Sequence, residues 1–327
     1  MKVITHRDIT SVYSMDTCIE DMKEAFRLYM EQKTHAPVRT VLDHTGSEAN
    51  TLVMPSYVEE LEVEAVKVVS IFPDNPEAGL PTLQGMILLT ETQHGRHLAA
   101  IEASGLTVLR TGAAAGVATQ YLAREQANRL SILGCGAQAR GQLEAVLAVR
   151  PIDQVFLWNR TREKAVAFQK EIQTQHPDWH GKVVVCDTAD EAANQADILV
   201  LSSRSEEPLF NADVLRPGVH INAIGAYRPN LREFGVDTLE RTDQVWVDSL
   251  EGARHEAGDL IQPAQQGLWS WDQVQGEIAE LVTDQQRLHR QPQEITLYKS
   301  VGVAYMDTVA AAKVYQHLSA KEKNKSP

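Results

Sequence analysis

Three kinds of hydrophobic patterning follow one another along the chain. Near the start, Ile19, Met22, Phe26 and Tyr29 recur at three- and four-residue intervals, which predicts an amphipathic helix over 15–32 with Asp16 as its cap. A short strand at Lys2–Ile4 precedes it. From Pro37 to Gly95 the period changes to that of strands. The runs "VRTVLDH", "TLVMPSYV", "AVKVVSIF" and "GMILLTE", parted by Gly, Pro and Asn, predict an antiparallel or mixed sheet, and "HLAAIEA" adds a further strand. Residues 104–124, "SGLTVLRTGAAAGVATQYLAR", return to a helical period. Ala113, Ala114, Ala115, Gly116 and Ala118 in it would let another backbone come close.

After residue 125 short apolar runs alternate with helical stretches. The runs are "LSILG", "QVFLWN", "KVVVCD", "ILVLSS", "HINAIG" and "QVWVDS"; helices fit at "QARGQLEAVLAV" and "TREKAVAFQKEIQTQ". Such alternation predicts a parallel sheet covered on both faces, and six strands match a doubly wound nucleotide-binding fold. "EITLYKSVGVAYMDTVAAAKVYQHLSA" reads as a glycine-containing turn and a long helix that packs back on the first domain, and "KEKNKSP" as a solvated tail. The expected fold class is therefore α/β. A Rossmann doubly wound parallel sheet occupies 120–299, and a discontinuous α+β domain for substrate binding occupies 1–119, completed by 300–327.

Composition narrows the function classes. The 327 residues allow two cores, and 43% hydrophobic with 23% charged residues is the balance of a soluble globular protein. A net charge of −13 argues against a nucleic-acid partner, which needs a basic footprint, and against a membrane surface. No apolar run reaches bilayer-spanning length, and "MKVITHRDI" lacks the apolar core of a signal peptide. Cys18, Cys135 and Cys186 form no C-x-x-C pair, so a reducing compartment is expected, without disulfides or a zinc site. No H-E-x-x-H spacing occurs among the histidines, and no metal is expected. The expected location is the cytoplasm.

Chemistry enters at "LSILGCGAQARGQ". Gly134 permits a tight turn after a strand, Gly136 lets the backbone approach a pyrophosphate, and Ala139 is small enough to pack helix on strand. The helix N-terminus adds amide donors and a favourable dipole. The end of the second strand reads Trp158-Asn159-Arg160-Thr161-Arg162, without the carboxylate that bonds the ribose of NAD. Arg160 can clamp a 2′-phosphate, with Asn159 or Thr161 hydrogen-bonding it, so NADP(H) is preferred and NAD(H) is the alternative. A solvated loop arginine is the other reading of Arg160.

Three cations sit in apolar company: Arg39 in "APVRTVL", Lys67 in "EAVKVVSIFP" and Arg110 in "LTVLRTGAAA". A half-buried cation must find an anion or a water-filled cleft. Each alone fits a structural ion pair; together they fit a pocket for a carboxylate, where Lys67 could also exchange a proton.

The strings "MPSY" (54–57), "KVVSIFPDNPEAGLPTLQG" (67–85), "LTVLRTGAAAGVAT" (106–119), "LGCGAQA" (133–139), "NAIGAYRPNLRE" (222–233) and "YKSVGVAYMD" (298–307) occur in an order that resembles the ornithine cyclodeaminase and mu-crystallin family over nearly the whole chain. The resemblance implies a homodimer formed through the discontinuous N-terminal domain, with one Rossmann domain per subunit. It implies that Arg39, Lys67 and Arg110 hold a substrate carboxylate, and that Thr82, Ala137 and Gln138 reach the cofactor. Asn222, Ala223, Ile224 and Gly225, with Ser300 and Val301, would line the nicotinamide side, and Ser203 completes the cofactor-binding set. The chain departs at Tyr227 from the pattern of the family's cyclodeaminases and archaeal alanine dehydrogenases, which carry an aspartate soon after the glycine. A tyrosine, with an ordinary pKa of about 10, is a poor base at neutral pH but can donate a hydrogen bond or proton. The expectation is an NADPH-dependent reductase of cyclic ketimine acids such as pyrroline-2-carboxylate or piperideine-2-carboxylate, acting on a small imino or amino acid. The alternatives are an ornithine cyclodeaminase, an alanine dehydrogenase-like or opine-type amino-acid dehydrogenase, and a non-catalytic NADPH-binding protein of the crystallin kind.

Overall fold

A computed structural model describes residues 1–323; the last part of the expected tail, 324–327, lies outside the described residues. The chain divides into two compact units, Met1–Arg110 with Val303–Pro327, and Thr111–Gly302. The division falls after Arg110 and before Val303, where the sequence reading placed it after 119 and before 300.

The first unit contains β1 (Lys2–Ile4), α1 (His6–Thr10), α2 (Met15–Met30), β2 (Thr34–His35), β3 (Thr40–Asp43), β4 (Asn50–Val58), β5 (Val63–Ile71), β6 (Leu83–Glu91) and β7 (His97–Glu102); α3 (Ala103–Leu122) begins in it. Its sheet runs β1-β7-β6-β5-β4-β2, with β3 also on β4. Only β1 against β7 is parallel, so the sheet is mixed. Side chains alternate between faces along β4 and β5, and the buried set on β5 is Val63, Ala65, Lys67, Val69 and Ile71. A lysine thus occupies a core position. The cap of α2 is Ser14, whose Oγ accepts from the Thr17 N–H at 3.2 Å. Asp16, the expected cap, instead sits in the first turn, where its charge meets the positive end of the helix.

The second unit carries β8 (Arg129–Leu133), α4 (Ala137–Val149), β9 (Gln154–Trp158), α5 (Arg162–Gln175), β10 (Lys182–Val185), α6 (Ala189–Gln195), β11 (Ile198–Leu201), β12 (His220–Ala223), α7 (Val236–Arg241), β13 (Gln244–Val247), α8 (Leu250–Glu256), α9 (Gly258–Gln265), β14 (Val274–Glu277), α10 (Ile278–Val282) and β15 (Thr296–Lys299). Its eight strands are parallel, in the order β10-β9-β8-β11-β12-β15-β13-β14. Leu199 and Leu201 pack into one core and Ile198 and Val200 into another, so the sheet is covered on both faces. Within this unit α3 and α4 touch through backbone. A Cβ on Gly112 would lie 2.2 Å from the Gly141 carbonyl oxygen, the close approach that the small residues of α3 predicted.

In the second unit two strands, β14 and β15, were not expected, and in the first the short β2 was not. β15 lies between β12 and β13, where the sequence reading had a turn. Thr296 and Lys299 interrupt its apolar run, and both are buried against internal partners. After β15 the chain enters α11 (Ala304–Lys323), which packs in the first unit on α2, β4 and β5, with Tyr305 stacked on Tyr29. The start of the expected tail, Lys321 to Lys323, is its exposed last turn. Among the described residues no helix is long and apolar enough to cross a membrane.

A buried polar chain joins β12, β15 and α3 in the second unit. The Asn222 amide donates to Thr119 Oγ1 at 2.8 Å, and its Oδ1 lies 3.2 Å from His220 Nε2. His220 Nδ1 lies 3.0 Å from Thr296 Oγ1. Burial, with help from the positive charge of Arg290, pushes the His220 pKa down to about 3. Below the ordinary value of about 6.5 the unfolded chain therefore takes up a proton that the folded chain refuses. The stability His220 preserves is complete above that value and is lost as pH falls, by about 2 kcal/mol at about pH 5. Urea unfolding across this range should show a shallower acid loss for His220→Gln than for the parent, and equal losses would exclude a neutral buried imidazole.

Candidate active site

The order of strands reverses between β8 and β11, the place where open parallel sheets bind ligands. There Gly134 adopts φ 101°, and a Cβ on it would lie 2.8 Å from the Ser202 carbonyl and 2.9 Å from Ser203 N. Its N–H donates to the Trp158 carbonyl at 2.9 Å, and its own carbonyl accepts from Ser202 Oγ at 2.7 Å. Three strand ends thus meet at one glycine. Gly136 has no such steric need. It caps α4 with φ −85°, and nothing lies within 4 Å of where its Cβ would be. The space above the helix N-terminus is open, which suits a pyrophosphate. Ala137 is exposed, Ala139 is buried on the sheet, and Gln138 Oε1 is buried with no hydrogen-bond partner among the described residues.

Asn159 does something other than expected. Its Oδ1 accepts from the Cys135 N–H and its amide donates to the Thr161 carbonyl, both at 2.9 Å, so it braces the turn rather than presenting itself to a 2′-phosphate. Arg160 and Thr161 are exposed at the end of β9. Arg162 pairs with Asp187, after β10, at 2.5 Å.

The ends of β11, β12 and β15 are organised by carboxylates that the sequence reading missed. Glu233 Oε1 accepts from Ser203 N and Oγ at 2.6 and 2.8 Å, and Oε2 accepts from Gly225 N and Ala226 N at 2.8 and 3.1 Å. Asp259 accepts from Glu233 N at 2.5 Å and pairs with Lys299 at 2.6 Å; Lys299 also donates to the Ala226 carbonyl. Burial, then the Asp259 charge, pushes Glu233 up to about 7 against these donors and Lys299. Asp248 Oδ2 takes Ser300 Oγ, Val301 N and Gly302 N at 2.7, 3.0 and 2.7 Å. Burial raises its pKa against those bonds. Ala223, Ile224 and Gly225 form the buried end of β12, and a Cβ on Gly225 would lie 2.1 Å from the Ser203 carbonyl oxygen. The Asn222 side chain, expected on the nicotinamide side, is committed inside the core to His220 and Thr119. The Ser300 hydroxyl likewise faces Asp248. Tyr227 follows this end, half-buried.

Two of the three expected cations, Lys67 and Arg110, meet at one carboxylate in the first unit. Asp307 Oδ1, on α11, accepts from Lys67 Nζ and from Arg110 Nε, each at 2.9 Å, and all three side chains are buried. Burial lowers the Lys67 pKa to about 8; Arg110 and Arg39 push the same way and Asp307 opposes them. Burial alone would raise Asp307, but Arg110 and Lys67 hold it below the ordinary carboxylate range. Arg39, half-buried ahead of β3, is close enough for its charge to bear on Lys67. Thr82 lies between β5 and β6, its carbonyl accepting from Phe72 N. Asp307 was legible as a lone acid in the apolar stretch "VAYMDTVAAA", though its position says nothing of its partners.

The family model described as "Ornithine cyclodeaminase/mu-crystallin family" matches residues 1–322. A Delta(1)-pyrroline-2-carboxylate reductase of Bacillus cereus is 38% identical over 317 residues, 97% of this chain and 96% of the relative. The structure of Thermococcus litoralis Delta(1)-pyrroline-2-carboxylate reductase in complex with NADH and L-proline matches with a TM-score of 0.94 at 34% identity, covering 98% of each chain. An archaeal alanine dehydrogenase dimer with bound NAD gives 0.90 at 32% identity, covering 98% of this chain and 97% of that one.

Because a methyl group at position 136 meets no protein atom, Gly136→Ala should leave the thermal midpoint of the ligand-free protein unchanged. It should weaken dinucleotide binding by about tenfold or more, about 1.4 kcal/mol, in a calorimetric titration. Unaltered affinity would mean that the open space is not where the pyrophosphate lies.

Proposed function

The chain belongs to the ornithine cyclodeaminase/mu-crystallin family, and from that premise we propose that it is an NAD(P)H-dependent oxidoreductase acting on C–N bonds, a reductase of cyclic ketimine acids of the pyrroline-2-carboxylate and piperideine-2-carboxylate type. The observation that carries this reading is the buried pair of cations Lys67 and Arg110 on Asp307, with the half-buried Arg39 near enough for its charge to bear on Lys67, which suits a small substrate bearing a carboxylate. When bound, the reduced nicotinamide supplies a hydride to the carbon of the C=N bond, so the chain must supply a proton for the nitrogen. Arg39 and Arg110 hold the carboxylate, and a guanidinium suits that task because it can offer two parallel N–H bonds. Lys67, with a pKa of about 8, is charged at neutral pH yet close enough to neutrality to release its proton. Tyr227 stands where a deaminating relative would need an aspartate base, which favours reduction over deamination. In the second unit Gly134, Gly136, Ala137 and Gln138 hold the pyrophosphate, and Ser203, Gly225 and Val301 shape the nicotinamide end.

NADPH is placed ahead of NADH because the end of β9 has no carboxylate and exposes Arg160 and Thr161. The commitment of Asn159 to the turn leaves that preference resting on these two residues. The protein acts as a homodimer. Val66 and Val68 on β5, Met86 on β6, Tyr57 on β4 and Leu42 on β3 are exposed apolar residues on one face of the sheet, and Val68 is the register partner of Met86. A patch of this kind on a soluble chain marks an association surface.

With pyrroline-2-carboxylate the protein should oxidise NADPH and form proline, with kcat/KM higher than for NADH. The value should decline as pH rises through about 8, where Lys67 loses its proton. Lys67→Ala should lower kcat/KM by roughly 10²–10⁴-fold with NADPH affinity nearly unchanged. Ammonia release from ornithine with catalytic cofactor would favour the cyclodeaminase, and tight NADPH binding without turnover of any imino acid would favour a binding protein. In the ultracentrifuge the parent should sediment as a dimer and Val66→Glu/Val68→Glu as a monomer. A monomeric parent would remove the dimer from the proposal.

A further inference from the structure

Helix α11 enters the cation cluster with a single carboxylate, and the way it is held bears on the lysine beside it. We propose that Asp307 is the positioning residue that keeps Lys67 charged and aimed, so that the upper pH limit of turnover is set from α11. This rests on Lys67 being the proton donor.

The geometry carries the argument. One oxygen of Asp307 receives both Lys67 Nζ and Arg110 Nε at 2.9 Å. The ammonium group has three N–H donors, and a bond from one of them fixes the direction of the other two. Arg110 is engaged through Nε, the chain-side nitrogen of the guanidinium. The residues around Lys67 leave little else to hold a charge there. Its register partners on β4 and β6 are Met54 and Ile87, both apolar. Arg110 on α3 and Arg39 ahead of β3 are cations and work against a charged lysine. Behind Arg110, Cys18 on α2 is a thiol that burial pushes up to about 12, so it stays neutral, with Tyr13 and Asp21 beyond it. Among the described residues the carboxylate bonded to Lys67 is Asp307.

Asp307 is also placed independently of the lysine. On either side of it in α11, Thr308 bonds Ser56 of β4 and Tyr305 stacks on Tyr29 of α2 with ring centres 5.2 Å apart. The helix therefore keeps its seat if the charge at 307 is removed, and the loss falls on Lys67. A neutral residue there leaves Lys67 to burial and two guanidinium groups, all of which favour the uncharged amine.

Lysine labelled with 13C at Cε reports the Lys67 titration directly by NMR in the full-length protein. The parent should titrate at about 8. In Asp307→Asn the midpoint should fall by about one to three pH units, the usual effect of an opposite charge at this range. Asp307→Glu should restore most of the difference. The basic limb of kcat/KM should move with the NMR midpoint while NADPH affinity stays put, which a purely structural role would not produce. An unchanged midpoint in Asp307→Asn overturns the proposal. If that variant does not fold, the parent suffices: the 13Cγ signal of Asp307 should inflect at the Lys67 midpoint, and its absence there overturns the proposal equally. A lysine midpoint that responds to Asp307 in a protein that reduces no imino acid would sink the reductase and leave the coupling standing.

Discussion

A charged group taken out of water needs an opposite charge or a full set of hydrogen bonds, because the uncompensated cost is several kcal/mol or more. This chain buries Lys67, Arg110, Asp307, Glu233, Asp248, Asp259 and Lys299. Each is answered, and the answering contacts shape the places where chemistry would occur. Glu233 collects the backbone N–H groups at the ends of β11 and β12, and Asp248 gathers the turn after β15. Asp307 does the corresponding task for side chains, drawing Lys67 and Arg110 onto one oxygen. Buried carboxylates are in this sense the framework of both units.

Small residues supply what the charges cannot, namely close approach. Gly134 and Gly225 stand against the backbone of Ser202 and Ser203, so three strand ends converge without side chains between them. Gly136 differs in kind, since the fold around it has room for a methyl group. That room at the N-terminus of α4 is what the proposed pyrophosphate site uses.

The proposed chemistry draws on two properties of this cluster: the positive charges of Arg39, Lys67 and Arg110, which suit an acid, and the burial that brings Lys67 down to about 8, within reach of releasing its proton. Reduction of a C=N bond beside a carboxylate asks for both. Deamination asks for a base, and Tyr227 stands where the cyclodeaminase pattern has an aspartate. Arg39 is only half-buried, and its charge adds to the pressure on Lys67.

Periodicity along the chain was enough to determine the classes of structure: a mixed sheet, then a parallel one covered on both faces, with a nucleotide turn at Gly134 and Gly136 and three cations out of place in apolar surroundings. These features are local, since alternation, helical spacing and turn chemistry each span a few residues. What tertiary structure decided was who answers whom. Lys67 finds Asp307 240 positions away, and Asn222 finds Thr119 103 positions away. β15 is a central strand although Thr296 and Lys299 break its apolar pattern, because partners from β12, α3 and α9 satisfy them. Asn159, expected to bond a 2′-phosphate, and Asn222, which the family resemblance puts on the nicotinamide side, are both committed to protein partners, because an amide can turn either way and only the neighbouring donors and acceptors choose. A buried polar group declares in sequence that it must have a partner; the identity of that partner is a property of the folded chain.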